Sequence, residues 1–369
     1  MKKQLLLLAL FFFLSFPMFA NKYTVNNNGS NTAQFTTIQA AVDSATSGDT
    51  IYVEGSPIVY ASFLVVNKKL IIIGPGWNPD KNLPVKATVS SFQIYNDSNL
   101  AGSINGSEII GLVFNGVVNV SSNGINTNFI GASNLKFIRC YFLSIINIYK
   151  GLSNAVFESC IFSHALLFKP TATYTNILFQ NNVFKKSTYY FTNACIADIQ
   201  NGTNVLFDHN LFYSNHSSTA FSNCTFLTVS NNIFVEMNLV NTPSSSVSFS
   251  TFNNNITYNC GGAHDTVWAY NNNTGTGNIP ATSPQLFDSV AVNSATFSET
   301  LNYTVQGGPA KNGGSDNKDI GLLFDTTGSL NWNHAHNSRF PRITVMNITT
   351  PTIAPGGNVS VSVQAKVSQ

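Results

Sequence analysis

Two stretches decide how this chain is read: NILFQNNVF at residues 176–184 and NVLFDHNLF at 204–212. Each opens on Asn, runs through two apolar residues to a first Phe, and closes on Asn, an apolar residue and a second Phe. They differ where one carries Gln-Asn and the other Asp208-His209. Alone, Asp208-His209 reads as a catalytic pair; beside its twin it is first a variable position in a repeat. The same frame recurs in NLKFIRCYF (134–142), NAVFESCIF (154–162) and FLTVSNNIF (226–234), and more weakly in EIIGLVF ending at Phe114 and TFNNNIT ending at Thr257. The closing Phe falls at 142, 162, 184, 212 and 234, with spacings of 20, 22, 28 and 22. A self-similar period of this length marks a stacked-repeat architecture.

The columns of the repeat carry physical content. Phe137, Phe157, Phe179, Phe207 and Val229 lie five residues before the closing aromatic, and Leu135, Ala155, Ile177, Val205 and Leu227 two further back. That is strand alternation with one face inward. Two residues before the closing position stand Cys140, Cys160, Asn182, Asn210, Asn232 and Asn255. Asn at a bend tolerates left-handed backbone, and its amide can bond the neighbouring turn. Stacked along an axis, such amides make a ladder. Short strands, bends and a period near 22 therefore predict a β-solenoid whose coils stack at roughly 4.8 Å. Spacings of 28 are coils with six extra residues in a loop. The Leu-x-x-Leu-x-Leu pattern of leucine-rich repeats is absent, and a recurring motif in one phase disfavours a β-sandwich.

The flanks fit this plan. In FTTIQAAVDSATSGDTIYV (35–53), Ile38, Ala41, Val42 and Ala45 fall at helical spacing, and Thr36 or Thr37 can cap the helix. Gly48-Asp49 then turns the chain into a strand at 50–53. A solenoid needs its open apolar end covered, and a short amphipathic helix does so. KKLIIIGPGWNP (68–79) reads as a strand followed by a Gly/Pro turn. Upstream, Lys2 and Lys3 precede an apolar run from Leu5 to Phe16, then Pro17 and Ala20. Such a run is shorter than the roughly 20 residues of a membrane span and matches a signal peptide over 1–20. The expected organisation is 1–20 signal peptide, 21–338 parallel β-helix, and 339–369 an appendage of two strands around Ile343, Val345, Val359, Val361 and Val363.

Without Lys2 and Lys3 the basic residues equal the 16 acidic ones, and only 9% of all residues are charged. No basic stripe is present, which excludes the electrostatic footprint of nucleic-acid binding. A hydrophobic content of 43% with 12% aromatic argues against disorder. No later stretch is apolar enough to span a membrane, so the mature chain is expected to be an exported, periplasmic, cell-surface or secreted monomer.

TIQAAVDSATSGDTIYV, LIIIGPG and the Asn-x-Phe repeats together resemble the right-handed parallel β-helix, or pectin-lyase-like, superfamily of exported bacterial proteins. GGPAKNGGSDNKDIG (307–321) resembles the closing coil of many of its members. The likeness covers roughly residues 22–325. It implies an all-β, right-handed single-stranded parallel β-helix, and it implies no single activity, because the fold hosts lyases, hydrolases and adhesins. Of the pectate-lyase WxDH-like strand only Asp208-His209 is matched, in LFDHN, without the Trp. No cluster of acids for calcium occurs in the regular coils. The NTD, DD, GHG and RIK motifs of polygalacturonases are absent too.

Chemistry, if present, belongs to the outward rows Ile138, Glu158, Gln180, Asp208, Ser230 and Arg139, Ser159, Asn181, His209, Asn231. Glu158 and Asp208 fall two coils apart, about 9–10 Å from strand spacing; inverting glycosidases hold their carboxylates ~6.5–9.5 Å apart. Arg139 and His209 can supply a clamp or a base. Glu158, Asp208 and His209 are thus the candidate catalytic set, and Arg139, Gln180, Asn181, Tyr189 and Tyr190 the candidate ligand contacts. The competing reading, which the residue statistics favour, is a solvated strand face with two acids in one row by chance.

Metal binding has weaker support still. His264, His334 and His336 read as loop residues, and Asp316 and Asp319, which have hard oxygens suited to Ca2+, as part of a polar turn. No cofactor is expected. Cys140 and Cys160 stack one coil apart, within disulfide reach if their side chains face correctly, or pack as buried thiols. Cys195 and Cys224 can stack likewise, leaving Cys260 over. The function expected is a non-catalytic exported β-helix that binds a polysaccharide or cell-surface glycan or serves as a surface-structural module. The alternatives are a divergent polysaccharide lyase or glycoside hydrolase, and an adhesin.

Overall fold

The structure is a computed structural model. It describes residues 20–29, 33–77, 85–121, 128–185, 194–200, 202–214, 219–237, 247–260, 271–286, 303–324, 332, 342–348 and 361–366. The segment before residue 20, where a signal peptide is expected, Tyr189 and Tyr190, and His264, His334 and His336 lie outside these.

The chain winds into a parallel β-solenoid of about nine turns. Three stacks of short strands run along its axis. The first is a 13-stranded sheet that includes Ile71–Ile73, Lys136–Ile138, Val156–Glu158, Tyr174–Gln180, Gly202–Asp208 and Leu227–Ser230. The second, eight-stranded, contains Val113–Phe114, Tyr141–Phe142, Ile161–Phe162, Val183–Lys185, Leu211–Tyr213 and Ile233–Val235. The third, also eight-stranded, contains Phe92–Asp97, Val118–Val120, Ile146–Ile148, Leu166–Phe168, Ala194–Ala197 and Thr219–Ser222. Register survives the uneven spacing: Phe114 pairs with Phe142, and Phe184 with Phe212, although each pair is 28 residues apart.

Register puts like on like. Phe137, Phe157, Phe179 and Phe207 stack at centroid distances of 5.1, 4.7 and 4.5 Å. Phe142, Phe162, Phe184, Phe212 and Phe234 stack beside them at 5.1, 4.7, 4.6 and 4.8 Å. Each contact contributes about 0.5–1.5 kcal/mol beyond burial. At the N-terminal end α1 (Ile38–Ser44) buries Ile38, Ala41 and Val42 on the first coil. The Thr37 hydroxyl caps it, accepting the Ala40 N–H at 3.2 Å. Buried Asp49 closes the following turn: its carboxylate accepts N–H bonds from Asn21 and Thr46 and the Thr46 hydroxyl.

The Asn column is the expected ladder, but the left-handed backbone expected at it lies one residue earlier. Asn182, Asn210, Asn232 and Asn255 are fully buried. The Asn210 Oδ1 accepts both the Asn182 backbone N–H at 2.9 Å and its Nδ2 at 3.0 Å. Asn210 Nδ2 in turn reaches Asn232 Oδ1 and Phe179 O, each at 2.9 Å. The left-handed residue is the one before: Arg139, Ser159, Asn181, His209, Asn231 and Asn254 have φ between 52° and 59°. Cys160 and Cys140 end the ladder, with Cys160 N–H on Asn182 Oδ1 at 2.8 Å and Cys140 N–H on Cys160 Sγ at 3.4 Å. All five thiols are buried and none forms a disulfide. The expected Cys195–Cys224 stack does not occur. Strand register sets Cys195 level with Ala220, and Cys224 pairs with Val247. Arg342–Ile348 and Val361–Lys366 form an antiparallel pair of their own.

The second sheet is buried on both sides. Its inward residues are the Phe stack. Its outward ones, Val113, Ile161, Val183, Leu211, Ile233 and Ile256, form a second apolar cluster. Tyr303, Val305, Ala310, Ile320, Leu322 and Trp332 from the C-terminal part, with Trp77 from the N-terminal part, complete that cluster. Residues 303–324 thus form a strap along the solenoid.

Two outcomes follow. Asn210→Ala removes a buried amide and orphans groups on both neighbouring coils, so denaturant unfolding should show a loss of about 2–4 kcal/mol. The exposed Asn176→Ala, at left-handed backbone, should cost less, about 1 kcal/mol. Burial alone would raise the Asp49 carboxyl, but the N–H bonds from Thr46 and Asn21 and the Thr46 hydroxyl bring it below its ordinary value. A lowered folded value gives stability above the unfolded pKa of about 3.9 that is lost as pH falls through the folded one. Hydrogen exchange over 21–50 should therefore rise on acidification, and in Asp49→Ala it should be raised already at neutral pH.

Candidate functional site

Three surfaces bear on function: the corner that carries the left-handed residues, the outward face of the 13-stranded sheet beside it, and the opposite margin of that face. Left-handed backbone at the corner turns the chain sharply from the first sheet to the second. The side chains of Arg139, Ser159, Asn181, His209 and Asn231 would then point to solvent if nothing lay over them. The strap does, so the expectation of a solvated row is corrected: all five are buried.

The strap is tied to the corner by polar contacts. Leu323 N–H donates to Asn181 Oδ1 at 2.7 Å, and Gly321 N–H to Asn231 O at 2.8 Å. Ser315 N–H donates to Asn231 Oδ1 at 2.8 Å, and Asn254 Nδ2 to Gly313 O at 3.3 Å. Further along, Trp77 Nε1 donates to Ser159 O at 2.9 Å while its ring meets Trp332 at 4.7 Å.

His209, 1% exposed, sits under the middle of the strap. Its Nδ1 lies 3.2 Å from Gly321 O, a carbonyl that can only accept, so Nδ1 carries the hydrogen. Nε2 lies 3.3 Å from Asp316 Oδ2 and 3.9 Å from Asp208 Oδ1, an ion pair when the ring is protonated. The Asp208 carboxylate is itself engaged, accepting from Asn231 Nδ2 at 2.8 Å and Gln180 Nε2 at 3.1 Å. Asp316 is set by opposing effects. Burial raises it, while the Lys318 N–H, His209 and the Lys318 ammonium bring it below the usual range.

Glu158, Gln180 and Asp208 do form an outward, half-buried row in register, as expected, with Glu158 two coils from Asp208. Burial pushes the Glu158 carboxyl up, against the pull of Arg139 and Lys136. Burial likewise pulls the Arg139 guanidinium down, with Glu158 opposing. Two of the thiols are poor nucleophiles here: burial raises Cys160 well above its ordinary value and Cys224 to about 12. Among the described residues no three His, Cys, Asp or Glu side chains group as metal ligands would, and Asp319 is paired with Lys311 at 2.8 Å.

The opposite margin of the same sheet is open. Ser133, Ser153, Thr175 and Thr203 pair in register down it. Beside them Asn154, Asn176 and Asn204, all exposed, form a second amide ladder with bonds of 2.9 Å from Asn176 Nδ2 to Asn154 Oδ1 and from Asn204 Nδ2 to Asn176 Oδ1. This column is left-handed too, with φ of 55°, 52°, 54° and 55° at Asn134, Asn154, Asn176 and Asn204. It continues as Phe226 and Phe249, at φ 59° and 52°. A cleft of about 270 Å³ is lined by Ser133, Ser153, Thr173, Thr175 and Asn105, over Gly131 and Gly151. A Cβ on either glycine would press on the backbone oxygen of the next coil, which keeps the floor bare.

Sequence reasoning identified the Glu158–Asp208 row, read Asp316 as part of a polar turn and 307–321 as a closing coil, and missed their place in a strap over the corner, the Trp77–Trp332 contact and the open margin. The readable signal for the strap was the doubled apolar pair in each coil, such as Ile161-Phe162, which needs cover on both faces. No family model matches the chain, and no curated protein matches it.

His209 Nδ1–H on Gly321 O, with the Asp316 carboxylate beside the ring, ties the strap to the corner. Asp316→Asn should raise hydrogen exchange over 313–323 at neutral pH, and the wild type should approach it as pH falls below the carboxylate range, where the lowered Asp316 becomes protonated. Gly321→Ala, with φ of +88° and a Cβ aimed at Ile233, should loosen the same segment at every pH.

Proposed function

We propose that this protein is an exported, non-catalytic β-helix that holds an uncharged polysaccharide or cell-surface glycan along the outer face of its 13-stranded sheet. The observation that carries this reading is the open margin: hydroxyls of Ser133, Ser153, Thr175 and Thr203 in register beside the exposed Asn154–Asn176–Asn204 ladder. Neutral donors and acceptors repeating at the coil spacing suit a polyol chain, and a stacked-repeat face offers extended contact. The near-zero net charge of the mature chain gives no steering toward a polyanion. The resemblance to the pectin-lyase-like superfamily fits a polysaccharide ligand, and the leader with Lys2, Lys3 and the Leu5–Phe16 run fits export. The reading invokes no cofactor and no nucleic acid, and takes the protein as a monomer.

A second reading, a divergent lyase or hydrolase, draws on one observation. The raised Glu158 carboxyl stands two coils from Asp208, as a general acid stands from its partner. Its weakness is the base, since His209 is closed under the strap. A surface-structural or adhesive role is compatible with the same face.

The test is a panel of neutral and uronate polysaccharides scored for retention of the protein and for new reducing ends and unsaturated-uronate absorbance. Retention on neutral polymers without product is expected, and Ser153→Ala/Thr175→Ala/Asn176→Ala should weaken it about tenfold. Product that disappears in Asp208→Ala would overturn the non-catalytic reading.

A further inference from the structure

The left-handed column of the open margin changes character part-way along the axis. Four asparagines are followed by Phe226 and Phe249, and Asn272 at φ 57° stands beyond. Asn is the ordinary non-glycine occupant of such backbone, whereas a bulky side chain there is an outlier. Outliers of this kind collect at ligand clamps. Both rings are also where an apolar side chain has least reason to be, at 56% and 54% exposed. They face each other, with centroids 5.6 Å apart and planes inclined by 21°. A phenyl ring reaches further from the backbone than an Asn amide, so the pair stands as a ridge above the ladder that leads to it.

We infer that Phe226 and Phe249 form a stacking platform for a single sugar ring of the polymer; this rests on the reading of the open margin as a glycan-binding face. A pyranose has an apolar C–H face and a rim of hydroxyls, and the ridge supplies both complements. The rings stack on each other, and their exposed outward carbons meet the C–H face as one apolar strip. Thr225 and Ser248 pair in register next to the two rings, with Thr228 and Thr251 on the far side. The platform is continuous with the Asn154–Asn176–Asn204 ladder, so a chain lying on that ladder reaches it. Its size argues for a small occupant. Two rings of roughly 150–250 Å² each, about half exposed, fall well short of the ~800 Å² per partner of a stable protein interface.

The experiment is affinity electrophoresis and calorimetry of the full chain with mixed-linkage β-glucan, xyloglucan, galactomannan and linear arabinan, alongside thermal unfolding. Phe226→Asn/Phe249→Asn restores the residue the column otherwise uses. It should bind the preferred polymer at least tenfold more weakly while unfolding at the same or a higher temperature. Phe226→Tyr/Phe249→Tyr should bind within twofold of wild type. Phe226→Leu/Phe249→Leu, apolar without a flat face, should lose the tenfold, and serves if the Asn variant does not fold. If wild type binds and the Asn and Leu variants match it within twofold, the platform is overturned and the glycan-binding reading stands. Should wild type bind none of the four, both fall. A wild-type dimer in sedimentation that either variant turns into monomer would overturn the platform in favour of self-association.

Discussion

Everything in this molecule depends on keeping each coil in register with the next, and the buried asparagine ladder does that. A bend inside a solenoid exposes backbone N–H and C=O groups to an apolar core, where an unpaired one is costly. Each ladder amide answers for groups on two coils at once: Asn210 takes the Asn182 N–H on its oxygen and gives its own hydrogens to Phe179 O and Asn232 Oδ1. A slip of one residue would leave these groups unpaired and turn the apolar columns outward. Because register holds, Phe falls on Phe in two stacks, one of which runs on past the ladder to Phe114 and Phe92.

The same geometry makes the corner. The residue before each ladder amide is left-handed, which turns the chain and throws that side chain to the outside. An outside position is not necessarily a wet one. The apolar outer column of the second sheet draws the strap over it, and the strap passes across the corner on its way. His209 is thereby converted from an apparent base into a structural contact. Among the described residues no strap is tied to the margin across the sheet, which stays open. Its small residues, with Gly131 and Gly151 at the cleft floor, leave room that bulkier ones would fill.

How much of this was legible in the sequence follows from the range of each interaction. The repeat, the inward Phe and Leu columns, the amide column and the capping helix are local patterns repeated many times, and each is found where expected. The left-handed position was misplaced by one residue, because Asn fits both the ladder and the turn and the pattern alone does not separate them. Arg139, Ser159 and His209 at the turn settle the matter. The cover over His209 was not legible, because Gly321 lies 112 residues away and meets it through a backbone carbonyl. Phe226 and Phe249 escaped notice for a related reason: in a chain of stacked phenylalanines, an exposed pair looks like two more core residues.

The glycan face proposed for this protein is the open margin of the first sheet, while the Asp208-His209 corner is closed. Backbone amide NMR during titration with a neutral oligosaccharide that the protein retains tests it most directly. Shifts are expected at Ser153, Thr175, Asn176 and Asn204, with His209, Asp316 and Gly321 unmoved. Shifts centred on Asp208, His209 and Gly321, with the margin silent, would contradict it.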